Sequence, residues 1–196
     1  LINYYRSVVD YQISSKFSKI ALTFDYRKLF ENNRQLNVRL FAGAFLFNDT
    51  KQSDDFFSFA LDRPTDYLFD YAYYGRSEDA GLFSQQLIEA EGGFKSNLEV
   101  AYANSWITTI NASTNIWRWI LIYADAGLAN NTNTGTKTVF DSGIRINLVQ
   151  NYFEVYFPLY SSLGWEPGQE NYDQKIRFKI TLSPKTLLGL FTREWY

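Results

Sequence analysis

Lys175-Ile-Arg-Phe-Lys-Ile-Thr-Leu182 alternates polar and apolar residues without a break. Ile176, Phe178, Ile180 and Leu182 fall on one side; Lys175, Arg177, Lys179 and Thr181 fall on the other. Successive side chains of a strand point to opposite faces, so this spacing predicts a β-strand with one apolar and one charged face. The same period recurs along the chain. Ile20, Leu22, Phe24 and Tyr26 oppose Lys19, Thr23, Asp25 and Arg27. Leu36, Val38, Leu40, Ala42, Ala44 and Leu46 oppose Asn37, Arg39, Phe41, Gly43 and Phe45, and Ile144, Ile146 and Leu148 oppose Asp141, Gly143, Arg145 and Asn147.

Further strands are expected at 3–14, 66–75, 82–92, 97–112, 115–128 and 151–160. In 82–92, Gln85, Gln86, Glu89 and Glu91 also admit a short helix. In 115–128 the cluster 116–123 is apolar on both sides, and its Trp, Ile and Tyr residues favour a strand. Many runs reach about 10–14 residues, against about 5–6 in globular sheets and about 9–11 for a tilted strand crossing a bilayer. The expected fold is therefore all-β, an antiparallel transmembrane β-barrel of about ten strands, or about twelve if sequence before Leu1 contributes. It spans 1–183, and 184–196 follows as a short amphipathic segment: Leu187, Leu188, Leu190 and Phe191 take helical spacing after Pro184, with Trp195 and Tyr196 at the lipid interface.

Composition narrows the class. The 196 residues suffice for one domain, and the formal charge is −2, which gives no reason to expect a nucleic-acid partner. Aromatics make up 19% of the chain, as expected where rings line two lipid–water interfaces. Mean hydropathy is slightly negative, and no run is apolar enough for a membrane helix. There is no Cys and no His. Disulfides, thiolate chemistry, His-based triads and imidazole metal sites are thereby excluded from this chain. With no Met and no leader pattern, the chain is read as a mature or excised segment.

The connections point the same way. Links after even-numbered strands are mostly tight (31–34, 112–114, 149–151), whereas several after odd-numbered strands are long and polar (49–65, 129–136, 161–173); 14–16 is short and breaks the rule, and 75–81 is intermediate. Long loops on one rim and tight turns on the other are the bacterial outer-membrane pattern, which puts both termini on the periplasmic side.

With the apolar face toward lipid, the ionisable residues opposite it turn inward. They are Arg6, Asp10, Lys19, Asp25, Arg27, Arg39, Asp70, Glu89, Glu91, Glu99, Asp125, Asp141, Arg145, Glu154, Lys175, Arg177 and Lys179. Their signs nearly balance, which favours a filled, ion-paired interior over a pore lined with one charge. The acidic pairs to test for catalysis are Glu89 with Glu91 and Asp54 with Asp55, but solvated or ion-paired groups are the simpler reading. Asp49, Asp62 and Asp66 join the loop acids without the spacing of a calcium loop, so no metal or other cofactor is expected. Phe56, Phe57 and Phe59 suggest either a short strand folded over the barrel mouth or a docking surface for another protein. Trp165 lies on a similar aromatic loop tip.

Several stretches together bear a resemblance. They are Tyr156-Phe-Pro-Leu-Tyr-Ser-Ser-Leu-Gly-Trp-Glu-Pro167, Gln174-Lys-Ile-Arg-Phe-Lys-Ile-Thr-Leu-Ser-Pro-Lys-Thr-Leu187, Leu190-Phe-Thr-Arg-Glu-Trp-Tyr196, Asp55-Phe-Phe-Ser-Phe-Ala-Leu-Asp-Arg-Pro-Thr-Asp-Tyr-Leu-Phe-Asp-Tyr71 and Tyr74-Gly-Arg-Ser-Glu78. The chain resembles the C-terminal outer-membrane region of large Bacteroidota proteins whose N-terminal part is similar to gluzincin metallopeptidases of the aminopeptidase N type. A gluzincin holds zinc with His-Glu-x-x-His, and this chain has no His to carry that role. The resemblance therefore implies a non-enzymatic membrane anchor for a periplasmic peptidase-like domain upstream, or a docking subunit of a larger outer-membrane assembly. The alternatives are a small gated transport barrel and a soluble lipocalin-like barrel, the latter predicting apolar rather than charged residues inside.

Overall fold

The computed structural model describes residues 2–32, 34–50, 57–62, 82–149 and 152–181. Among these residues eleven strands form: β1 (Ile2–Ile13), β2 (Phe17–Leu29), β3 (Gln35–Asn48), β4 (Phe59–Ala60), β5 (Tyr102–Ala103), β6 (Trp106–Asn115), β7 (Ile120–Asn131), β8 (Gly135–Val149), β9 (Phe153–Ser161), β10 (Gly164–Trp165) and β11 (Arg177–Ile180). Nine make one antiparallel sheet in the order β1-β2-β3-β6-β7-β8-β9-β10, with β11 also pairing β9; β4 and β5 pair by themselves. The fold is thus all-β and antiparallel, and among the described residues the sheet does not close on itself.

Connections put the tight links 30–34, 116–119 and 150–152 at one end of the strands. The other end carries 14–16, 132–134, 162–176 and the long excursion between β3 and β6. Two expected turns move. The turn at 112–114 lies instead at 116–119, where the Ile116 and Trp117 N–H groups both donate to the Ile120 carbonyl at 2.9 and 3.1 Å. That resolves the doubly apolar cluster: four of its residues form the turn, and from Ile120 onward strand alternation resumes. The expected polar loop 129–136 shrinks to a tight hairpin, because β7 and β8 pair out to Asn131 and Gly135. Gly135 has φ +71°, the left-handed conformation that a three-residue hairpin loop needs at this position.

The main revision concerns 49–105. β3 pairs directly with β6, from Leu36–Thr114 to Ala44–Trp106, so no strand stands between them. The expected strand at 82–92 is instead a 3-10 turn (Leu82–Gln85) followed by irregular chain, touching the sheet through one parallel bridge from Gln86 to Phe178 of β11. The expected strand 97–112 begins only at β5 and β6. The strand expected at 66–75 and the segment 184–196 lie outside the described residues.

The described part of this excursion lies against one face of the sheet. Phe59, Leu61, Phe94, Leu98 and Ala103 from it pack with Phe41, Ile107, Ala129 and Val139 from the strands. Small residues make room for the rings: a β-carbon at Gly43 would stand 2.6 Å from Phe59 Cε1. The Gly92–Gly93 pair allows equally close approach, since a β-carbon on Gly92 would meet the Leu61 backbone at 2.8 Å and Gly93 has φ +75°.

The sheet is inverted relative to a water-soluble one. On its open face stand Ile20, Leu22, Leu40, Ile110, Ile122, Leu128 and Phe140, all exposed. On its covered face stand Asn111, Asp125 and Asp141, all buried, together with Lys19, Arg39 and Arg145. The apolar residues of the alternation thus stand on the open face; on the other face Arg6, Asp10 and Arg27 are themselves exposed.

Candidate functional site: a charged layer beneath the inserted segment

Antiparallel register aligns side chains of neighbouring strands into lateral rows. One row joins Arg6 to Asp25, Asp25 to Arg39, Arg39 to Asn111, Asn111 to Asp125, Asp125 to Asp141 and Asp141 to Ser161. Five of the charged residues expected to face inward therefore form one band across seven strands. Register, which the sequence does not print, brings them together.

The band meets the inserted segment at Lys95. Its ammonium lies 2.9 Å from Asp125 Oδ2 and also donates to the Gly93 carbonyl. Asp141 Oδ2 accepts the backbone N–H groups of Lys95 and Ser96 at 2.8 and 2.6 Å. Two buried acidic side chains thus lie side by side, and these contacts supply positive charge and dipoles to them. Asn111 ties in the same loop, donating from Nδ2 to the Gly92 carbonyl at 3.1 Å and accepting from Arg39 at 3.1 Å.

Beside the segment runs a groove of about 400 Å³ lined by residues including Val8, Asp10, Lys19, Arg39, Glu89 and Glu91. Glu89 and Glu91 both border it but act separately. Glu91 pairs with Lys19 at 3.2 Å and accepts the Ala60 N–H at 2.7 Å, while Glu89 pairs with Lys179 on β11 at 2.7 Å. They are not a shared-proton catalytic pair. Burial alone would raise the Glu89 carboxyl, but Lys179, Lys95 and Arg39 outweigh it and hold the group down at about 2.

At the far edge of the sheet, Glu154 receives Arg145 at 3.7 Å and the Tyr156 hydroxyl at 2.6 Å. Arg177 donates to Ser84 O and Asn97 Oδ1. Arg27 donates from Nε to Asn37 Oδ1 at 3.0 Å.

Several expected positions are corrected. Lys175 is not on a strand: it closes the helical turn Tyr172–Lys175, and its ammonium pairs with Glu166 at 2.7 Å. Glu99 is exposed on irregular chain of the inserted segment rather than on a strand. Phe59 forms no docking surface, being fully buried against the sheet, and Phe57 packs on Phe17 with ring centroids 4.2 Å apart. Both reach apolar partners that are distant in sequence, so their loop position misleads. Asp62 accepts the Leu98 N–H at 2.7 Å and serves to hold the segment. Trp165 is 57% exposed. Asp54, Asp55, Phe56, Asp66 and Asp70 lie outside the described residues. Among the described residues no cluster of three acidic side chains is arranged to hold a metal ion.

Sequence reasoning missed Lys95 and Glu166. Both lie off the alternating strands, and Glu166 is buried against Lys175 and the Ser161 hydroxyl. The only sequence signal near Lys95 is the adjacent Gly92–Gly93 pair, which marks a close backbone approach.

No family model, curated protein or solved structure matches the chain.

Proposed function

We propose that this chain is the wall and internal plug of an outer-membrane β-barrel in a Gram-negative bacterium. It acts as a non-enzymatic anchor for a periplasmic domain or as a docking subunit of a larger membrane assembly. The observation that carries the reading is the inverted polarity of the sheet. Leu40 and Ile110, paired on β3 and β6, are 43% and 45% exposed, while the covered face buries Asn111, Asp125 and Asp141 beside its apolar cluster. In water that face would be an aggregation hazard; in lipid it is the required outer surface. Exposed aromatics support this at both strand ends, with Phe30, Trp117, Trp119 and Tyr152 at one and Tyr11, Phe47, Tyr160 and Trp165 at the other.

The anchor reading is preferred to transport because the inserted segment is fixed to the charged face by ion pairs and a buried apolar cluster. A soluble lipocalin-like barrel is disfavoured, since it would expose its polar face. The peptidase-like upstream partner rests on the resemblance of the C-terminal motifs alone. The test is cell fractionation of the full-length protein, combined with refolding of residues 1–196 into detergent. Recovery in the outer membrane and a heat-modifiable band on gels are expected. A chain that is folded and monodisperse in water without detergent overturns the reading.

A further inference from the structure

Antiparallel register sets three arginines around Asp25. Arg6 on β1 and Arg39 on β3 stand directly opposite it, and Arg27 follows two positions along β2 on the same face. The next neighbours on that face, Tyr4, Asn37 and Asn111, are neutral, so this corner of the charged face is basic. Arg6 and Arg27 are exposed, and Arg39 and Asp25 are half-buried. None of the four forms an ion pair among the described residues, and Arg27 and Arg39 donate to asparagine oxygens, which leave their charge uncompensated. Glu89 lies within reach of the Arg39 field, but its carboxylate is bound by Lys179 at 2.7 Å. The described part of the inserted segment grips these strands nearer the long-loop end, where Glu91 pairs with Lys19 and Phe59 sits over Gly43. It leaves Arg6 and Arg27 uncovered.

We propose that this corner receives an acidic, extended polypeptide segment from the tight-turn side of the membrane, whose carboxylates pair with Arg6, Arg27 and Arg39. This names the contact surface for the anchor or docking role above and rests on that reading. Position agrees with it: Arg27 lies two residues from the end of β2 and Arg39 four from the start of β3, next to the tight link between them. Lipid headgroups are the wrong partner, because the arginines alternate with Tyr26 and Val38 of the open face and share the covered face with Asp125. A single compact anion is also a poor fit, since among the three arginines it would meet the Asp25 carboxylate. Separate carboxylates avoid that contact. On alternate residues of an extended segment they recur roughly every 7 Å, and arginines on neighbouring and next-neighbouring strands are roughly 5–10 Å apart. Each guanidinium offers a planar fork that a carboxylate matches.

The probe is a short fluorescein-labelled peptide of alternating Glu and Thr, added to the full chain refolded in uncharged detergent and followed by fluorescence anisotropy. Binding is expected, weakening as salt is raised, and the matching peptide of alternating Gln and Thr is expected not to bind. Replacing Arg6, Arg27 and Arg39 together by Gln is expected to weaken binding about tenfold, and Asp25→Asn to tighten it about threefold. Lys28→Gln, at the same end but on the open face, is expected to leave it unchanged. A heat-modifiable wild-type chain that does not bind the acidic peptide overturns the proposal and leaves the membrane reading standing. So does an equal loss in the triple variant and in Lys28→Gln, or displacement of the peptide by inorganic phosphate at constant ionic strength, which would make the corner a phosphate site. If the triple variant does not refold, Asp25→Asn decides, and an affinity that fails to rise overturns the proposal. A chain folded in water without detergent overturns the membrane reading instead, whatever the peptide does.

Discussion

The ammonium of Lys95 lies 2.9 Å from the carboxylate of Asp125, joining an irregular segment to the centre of the sheet. Asp125 is buried and its strand neighbour is another buried aspartate, Asp141. The charged layer is therefore completed by a residue that does not belong to the sheet.

Removing that cation leaves the buried Asp125 carboxyl without its ion-pair partner. Lys95→Met is expected to lower the unfolding free energy by about 3–5 kcal/mol, the usual cost of breaking a buried pair from one side. Adding Asp125→Asn should recover much of the loss, because Asp141 keeps its two backbone donors. Urea unfolding in detergent, followed by tryptophan fluorescence, measures both. Independent, additive effects of the two substitutions would contradict the coupling.

Phe59 and Gly43 form a second coupled pair. Phe59→Ala opens a cavity in the cluster that fixes the inserted segment, with an expected cost of about 3–5 kcal/mol. Gly43→Ala drives a methyl group into a fully buried ring and should cost about 1–3 kcal/mol. The combination Gly43→Ala with Phe59→Leu should cost less than the sum of the separate changes. Unfolding midpoints of the four proteins decide this.

The open face provides a depth-dependent test. Ile110→Arg, placed mid-strand on that face, should cost about 2–4 kcal/mol in a lipid environment, and Thr138→Arg, close to the β7–β8 turn, about 0–1 kcal/mol. Refolding into phospholipid vesicles across a urea series gives both values. Equal and small penalties would place that face in water.

Acid should weaken the link between the inserted segment and β11. The Glu89 carboxyl is held at about 2 in the folded chain against an ordinary value of 4.5. A depressed carboxylate stabilises the fold above its unfolded value and loses that contribution as pH falls from 4.5 toward 2. The Glu89 side chain retains 41% of its surface, so solvent screening keeps the contribution small. The difference in unfolding midpoint between wild type and Glu89→Gln is expected to be constant above pH 5 or so and to shrink below pH 4.5. A difference that does not change with pH would contradict the role given to the Lys179 pair.

The sequence by itself determined the period of the long strands and which of their faces is apolar. Alternation is local, with each side chain reporting the side of the backbone it occupies. The runs containing Leu36 to Leu46, Ile144 to Leu148 and Phe178 to Ile180 were therefore legible with their polarity. It also excluded thiol and imidazole chemistry, since no residue of either type is present. Tertiary structure decided which strands are neighbours and what covers the charged face. Direct pairing of β3 with β6 removes 82–92 from the sheet, and register alone places Arg39, Asp125 and Asp141 in one band. Lys95 reaches Asp125 across thirty positions of sequence and Asp141 across forty-six. No periodicity encodes such a contact: it follows from where an irregular segment comes to rest, and the small side chains at Gly43, Gly92 and Gly93 let its backbone and rings approach.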